Sequence, residues 1–284
     1  MEKPILVFQT DFTYKEGAIS SMYGVVKTVD RSLEIFDGTH EIPHFDTWSA
    51  SYRLYQSMQF WPKGTIFVSV VDPGVGTARK ACVARTKDGY YVVTPDNGSL
   101  SHVKYHIGIE EVREIDEKVN RLQSTLGTSV FHGRDLFGYC AARLASGIIT
   151  YEQVGPIYST EDIKVHHILE GSITGNRAEG IIEIDDPNFG NLWSNISSEL
   201  LLKNGFAYGD KVNVSICCKG DIVYQEEVLF AKSFGYVEKG ESVLYTNELM
   251  RASMALCLGD FRKRYQLGFG EEWTISIEKK GQRG

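Results

Sequence analysis

The sequence predicts an α/β protein in two parts: an N-terminal domain on a doubly wound, mostly parallel sheet over residues 1–160, then a smaller C-terminal, mainly β domain over residues 165–284. Three observations predict it. Short apolar runs alternate with segments of helical period through the first half, the pattern of a sheet wound with crossover helices. Beyond about Val165, strand-like runs follow one another with turns between them. Between Gly155 and Ile163 neither period is present, which marks the boundary.

In chain order, Pro4 to Phe8 reads as a short buried strand, and Ala18, Met22, Val25 and Val29 recur at helical spacing. Leu33 to Phe36 is a second strand; Trp48, Tyr52, Tyr55 and Met58 mark a second helix; Thr65 to Val71 is a third strand. Ala81 to Thr86 and Tyr90 to Thr94 read as a hairpin around Lys87-Asp88-Gly89, and Pro95-Asp96-Asn97-Gly98 as a turn. Leu136, Phe137, Cys140, Ala141 and Leu144 make a helix closed by Gly147. In the second part, Gly180 to Ile184, Lys211 to Cys217, Ile222 to Leu229, Ser242 to Thr246 and Trp273 to Glu278 read as strands, and Glu248 to Leu258 as its one helix.

The chain of 284 residues suffices for one large domain or two ordinary ones. A net charge of -7 argues against nonspecific nucleic-acid binding, which wants a basic face. No apolar run approaches the roughly 20 residues of a membrane span. The opening MEKPILVFQTDF enters a strand directly, without signal-peptide architecture. The expectation is a cytoplasmic protein with neither nucleic acid nor membrane as partner. Cys82, Cys140, Cys217, Cys218 and Cys257 are odd in number and include no CxxC, so they are expected to be buried, inert thiols.

Four stretches carry chemistry. Val70 to Lys80, VVDPGVGTARK, is neither GxxxxGK[ST] nor GxGxxG. It is either a Pro-Gly turn in which Asp72 caps backbone amides, or the floor of a site, because ligands of open α/β sheets bind beyond the carboxyl ends of the strands. Asp11, in Thr10-Asp11-Phe12, stands at another such end, either as a helix cap or as an acceptor for a ribose diol. Phe131-His132-Gly133-Arg134-Asp135 enters a helix; Asp135 suits the helix dipole, and Gly133 allows close approach to the backbone. Asp185-Asp186-Pro187-Asn188-Phe189-Gly190-Asn191 suits a divalent metal, an ammonium with an adenine edge, or plain Asx-turns. No HExxH or EF-hand loop is present, His40 and His44 straddle Pro43, and His102/His106 have no evident third ligand, so no metal site is expected.

In this order and spacing the stretches resemble the S-adenosyl-L-methionine (SAM) hydroxide adenosyltransferases, relatives of the bacterial fluorinases and chlorinases. The resemblance runs from Thr10-Asp11-Phe12 through Asp37-Gly38-Thr39-His40, VVDPGVGT, Pro95-Asp96-Asn97-Gly98, FHGRD and Phe189-Gly190-Asn191-Leu192-Trp193-Ser194-Asn195 to Trp273-Thr274-Ile275. It implies a homotrimer in which SAM lies between the α/β domain of one subunit and the β domain of its neighbour. It implies Asp72, Arg79 and His132 as the set around an attacking water. It puts Asp11 on the ribose hydroxyls, Phe45 as an aromatic wall, Asp186 on the methionine ammonium, Phe189 as a stacking residue and Asn191 as an adenine reader. Glu16 and Gly133 join the substrate-binding residues. The chain departs from the family pattern at Thr13, where glycine is usual, at Glu16, where aspartate is usual, and at Glu248, where a serine would meet the methionine carboxylate. A glutamate there repels that carboxylate unless it turns away.

The chemistry so implied is attack on C5′ of a sulfonium, whose leaving group is a neutral thioether. Arg79 would favour hydroxide character, His132 would hold the water or accept its proton, and Asp72 would orient one of them. No cofactor is required, because SAM is the substrate. The other readings are a halogenase on the same substrate and a non-catalytic SAM or adenosine sensor. In the halogenating relatives the position of Asp72 is not an acid, and a carboxylate there would repel halide, which favours water.

Overall fold

The structure is a computed structural model that describes residues 3–279. The chain divides between His166 and His167 into two compact units. The first comprises β1 (Leu6–Thr10), α1 (Ala18–Val29), β2 (Ile35–Thr39), α2 (Thr47–Met58), β3 (Ile66–Val70), β4 (Ala81–Thr86), β5 (Tyr91–Pro95), α3 (Ser101–His106), β6 (Ile109–Glu114), α4 (Glu117–Asn120), α5 (Tyr139–Ala145) and β7 (Ile157–Tyr158). Its sheet runs β2-β1-β3-β5-β4-β6-β7. The strands β2, β1, β3 and β5 are parallel, and β4, β6 and β7 are antiparallel. The sheet is therefore mixed, with its parallel half at the β2 end. The short turn at Lys87-Asp88-Gly89 imposes antiparallel pairing on β4 and β5, since a parallel neighbour needs a crossover of about a dozen residues or more.

Both faces of the parallel half are covered, and the period of two sorts the residues. Leu6, Phe8, Val68 and Val70 share a core with Met22 and Val26 of α1 and Ala141 of α5. On the other face, Gln9 Nε2 donates to Ala50 O of α2 at 2.8 Å and to Ser69 Oγ at 3.0 Å. Because β1, β2 and β3 are parallel, the loops after Thr10, Thr39 and Val70 leave the same edge of the sheet. Val154 closes the core, β7 pairs with β6, and His166 N donates to Ser101 Oγ at 2.8 Å. The first unit thus runs on to His166, and the lapse in periodicity after Gly155 is a short edge strand among turns.

The second unit comprises β8 (Ser172–Thr174), β9 (Arg177–Asp185), β10 (Leu192–Ser197), α6 (Ser198–Lys203), β11 (Lys211–Cys218), β12 (Asp221–Ala231), β13 (Ser242–Thr246), β14 (Arg251–Leu256), α7 (Phe261–Tyr265) and β15 (Trp273–Lys279). The order is β10-β14-β13-β12-β11-β15-β9-β8, and β10 also pairs with β9, so β9 to β15 close a barrel with β8 outside it. Ala178, Val214, Phe230, Leu244, Met254 and Ile277 fill its interior.

The helix expected over Glu248 to Leu258 is instead a turn followed by β14. Asn247 Oδ1 accepts from Leu249 N at 2.9 Å and Arg251 N at 3.0 Å, which fixes the turn. Pairing of β14 with β10 and β13 then overrides the helical preference of Met, Ala and Leu. The five cysteines are free; Cys82, Cys140 and Cys257 are buried, whereas Cys217 and Cys218 are half-buried rather than buried as expected. Among the described residues no helix is long and apolar enough to cross a membrane.

Candidate active site

The turn after β3 is built by its own backbone. Val75 N donates to Asp72 O at 3.2 Å and Thr77 N to Gly74 O at 3.1 Å. Gly76 has φ +75°, and a Cβ there would lie 3.1 Å from Ser129 O, so only glycine lets the turn approach the 125–132 loop. The Asp72 carboxylate does not cap this turn. Arg79 Nε lies 3.0 Å from both its oxygens and Nη2 lies 2.5 Å from Oδ2. Nη2 also lies 2.8 Å from His132 Nδ1. The Asp72 and Arg79 side chains are only 5% and 6% exposed, so the ion pair is sheltered from solvent screening. The guanidinium carbon sits 5.1 Å from the centre of the Phe137 ring.

This chain of bonds sets the state of His132. Burial, and then the Arg79 charge, lower its pKa below the ordinary 6.5, so the ring is neutral near neutral pH. Arg79 has only donors, so Nδ1 accepts, and the ring proton resides on Nε2. That Nε2 is buried and has no protein partner. His132 leads into a wide π-helical turn, Gly133–Gly138, that continues as α5. Asp135 is fully buried there and pairs with Arg134, a structural role as expected.

A cavity of about 530 Å³, within the usual range for small-molecule sites, opens at this edge. Asp11, Phe12, Glu16, His44, Phe45, Asp72, Val75, Val130, Phe131, His132 and Gly133 are among its lining residues. Asp11 does not cap α1, which starts after Gly17 without a side-chain cap. Its Oδ2 accepts from Phe45 N at 2.9 Å. Phe45 has φ +66° and is 69% exposed, so its ring presents a bare face at the rim. At Gly133 a Cβ would meet Phe12 Cε2 at 3.2 Å and Phe131 Cε2 at 3.3 Å, so the two rings crowd this wall.

In the second unit, the 185–191 loop divides its two acids. Asp185 pairs with Arg262, while Asp186 Oδ1 accepts from Asn188 N at 3.1 Å in an Asx-turn. Asp186 N donates to Asn191 O at 2.8 Å, which closes the loop. Asn191 is buried, and Phe189 is 67% exposed. Glu248 is exposed. Among the described residues no group of three or more His, Cys, Asp or Glu side chains is placed to hold a metal ion.

Comparison with known proteins fits this geometry. The family model for the SAM hydroxide adenosyltransferase N-terminal domain matches residues 6–155, and that for the C-terminal domain matches residues 180–274. The chain belongs to the SAM hydroxide adenosyltransferase family. One relative, an (R)-S-adenosyl-L-methionine hydrolase of Methanocaldococcus jannaschii, is 30% identical over 247 residues, covering 86% of this chain and 84% of the relative. A fluorinase of Actinoplanes sp. is 22% identical over 299 residues, covering 97% and 98%. The crystal structure of an uncharacterized conserved protein from Thermotoga maritima superposes with TM-score 0.87 at 33% identity, covering 97% of this chain and all of the other.

On this member of the family, sequence reasoning missed the residues that support the site. Asn97 Nδ2 donates to Val71 O at 2.9 Å, which pins the backbone next to Asp72. Phe12, Phe131, His44, Val75 and Val130 complete the cavity wall. Phe12, Phe131, Val75 and Asn97 lie inside motifs quoted above, though without a role of their own there; His44 and Val130 have no spacing that marks them.

Proposed function

We propose that the chain hydrolyses S-adenosyl-L-methionine to adenosine and L-methionine by attack of water or hydroxide at C5′. The carrying observation is the Asp72–Arg79–His132 chain: it ends at His132, which lines the same cavity as Asp11 and whose Nε2 is buried without a protein partner. The curated hydrolase relative supports the same reading.

The geometry supports a division of labour. Both Asp72 oxygens accept from Arg79, and His132 Nδ1 accepts from Arg79. Neither residue offers a ready base, so the set presents a donor, Nε2–H, to the nucleophile. A donor fixed in a dry wall favours hydroxide over water and holds its lone pair in line with C5′. The O–C5′ bond forms, the C5′–S bond breaks with its electron pair passing to sulfur, and the water proton leaves to solvent. Asp11 Oδ1 is the acceptor for the ribose hydroxyls, Phe45 covers the ligand, and Glu16 and Gly133 line its path. Asp186, Phe189 and Asn191 recognise the methionine and adenine ends. The reaction so written uses no metal or other cofactor.

Halide is the second reading, favoured by the fluorinase relative. Bare repulsion by Asp72 does not decide against it, because Arg79 neutralises that carboxylate. Asp72 engages the guanidinium, and the Nε2–H donor suits hydroxide and halide alike, so the preference for water rests on the curated hydrolase relative at 30% identity against 22% for the fluorinase. A homotrimer accompanies the proposal: Phe45 and Val130, 69% and 78% exposed at the cavity rim, suit cover by a neighbouring subunit. Incubation with SAM, with and without a chelator, tests the proposal by chromatography. Equal adenosine and methionine in both is the expected result; unchanged SAM, or activity that needs added metal, overturns it.

A further inference from the structure

The loop Asp11-Phe12-Thr13 carries the ribose acceptor, yet it lies outside β1 and α1 and needs other supports. One is a buried histidine that does not line the cavity. Thr10 Oγ1 accepts from Phe12 N at 3.1 Å and lies 2.8 Å from His40 Nδ1. The Asp37 carboxylate can only accept, so the proton of the neutral ring is on Nε2, 3.1 Å from Asp37 Oδ1 and 3.0 Å from Tyr23 OH. Nδ1 then accepts, and the Thr10 hydroxyl donates to it. Tyr14 and Tyr23 both donate to the Asp37 carboxylate.

The backbone of the same histidine holds the far end of the loop. Thr13 N donates to His40 O at 2.9 Å, and Thr13 is held at φ +57°, a region that a β-branched residue enters only when its surroundings enforce it. Asp11 therefore sits between two anchors on one residue. Its carboxylate is held by a third, Phe45 N, from the loop that His40 begins. His40 is 2% exposed, and burial keeps its ring neutral by lowering its pKa.

We propose that His40, braced by Asp37, Tyr14 and Tyr23, is a positioning residue that fixes the Asp11 loop for ribose binding. This rests on the reading of Asp11 as the ribose acceptor. The side chain acts through Thr10 and contributes to binding rather than to the chemical step.

The test uses His40→Ala, His40→Asn and Tyr14→Phe in the full chain. Steady-state kinetics with SAM and calorimetry with adenosine are the readouts. Loss of one well-made hydrogen bond should raise KM for SAM and Kd for adenosine about tenfold in His40→Ala, with kcat changed less than about threefold. His40→Asn should recover most of this, because its amide oxygen can accept from Thr10. Tyr14→Phe removes one hydroxyl from a residue that is 58% exposed, so it should fold normally and raise KM about two- to threefold. Unchanged KM and Kd in Tyr14→Phe and in whichever His40 variant folds, or a fall in kcat alone, would overturn the positioning role. A wild-type chain that binds neither SAM nor adenosine would instead overturn the site reading and this inference together.

Discussion

The Asp72–Arg79–His132 chain makes different demands on each of its members. His132→Ala removes the Nε2–H donor, and Asp72→Asn loosens the arginine that fixes it. Each should lower kcat about 10²–10⁴-fold in steady-state kinetics. Asp11 meets the ribose in ground and transition states alike, so Asp11→Ala should raise KM more than it lowers kcat. The reverse partition would contradict these roles. Asp72→Ala also leaves the Arg79 charge buried without its partner, which should cost about 3–5 kcal/mol in chemical denaturation, more than Asp72→Asn. The pH dependence has a definite sign. Protonation of His132 puts a proton on Nδ1 opposite the Arg79 guanidinium and breaks the bond between them. The acid limb of kcat/KM should therefore fall below pH 6.5, the ordinary histidine value, since burial and Arg79 both lower this pKa. An acid limb above that value would contradict the neutral assignment.

At the scale of elements, the loops that need glycine separate two kinds of constraint. A Cβ at Gly190 would lie 2.1 Å from Asp260 Oδ1 and 2.9 Å from Asp260 Cα, at φ +70°. At Gly220 the φ is +92°, and nothing lies within 4 Å. Gly220→Ala should cost about 1–2 kcal/mol of backbone strain alone. Gly190→Ala adds overpacking and should cost about 2–4 kcal/mol, read as a larger fall in melting temperature. Equal effects would mean that the 185–191 loop yields to Asp260. Legibility follows the same physics. The hairpin of β4 and β5 and the buried β3 were readable because local turn signals and an unbroken apolar run fix them. Arg251 to Leu256 was not, because Ala, Met and Leu suit a helix and only pairing with β10 and β13 makes them a strand. Leu192-Trp193-Ser194-Asn195 is legible as a motif and not as β10, since both its faces are buried and no alternation shows.

The whole molecule brings together residues that no local pattern links. Asp72 and His132 are far apart in sequence and meet only through Arg79; the family pattern made them legible, whereas the proton position on His132 needed the distances. The same burial affects stability. His40, His102 and His132 all have pKa values lowered by burial, His102 well below the ordinary 6.5. The unfolded chain binds those protons more readily, so stability should be full above about pH 6.5 and decline as pH falls below it. Asp96, raised from 3.8 by burial, acts in the opposite sense. Urea denaturation at pH 7.5 and 5.5 should show the lower stability at 5.5; equal values would mean that the buried rings are protonated in the fold. Light scattering should give a trimer, and a monomer fully active at high dilution would contradict a site completed by a neighbour.

The central claim is that water supplies the new bond at C5′. The direct measurement is mass spectrometry of the nucleoside formed from SAM in water enriched in heavy oxygen, with chloride or fluoride at high concentration. The account predicts adenosine carrying the heavy atom at its 5′-hydroxyl, one equivalent of methionine and little halonucleoside. Predominant 5′-halo-5′-deoxyadenosine, or adenosine without the label, would contradict it.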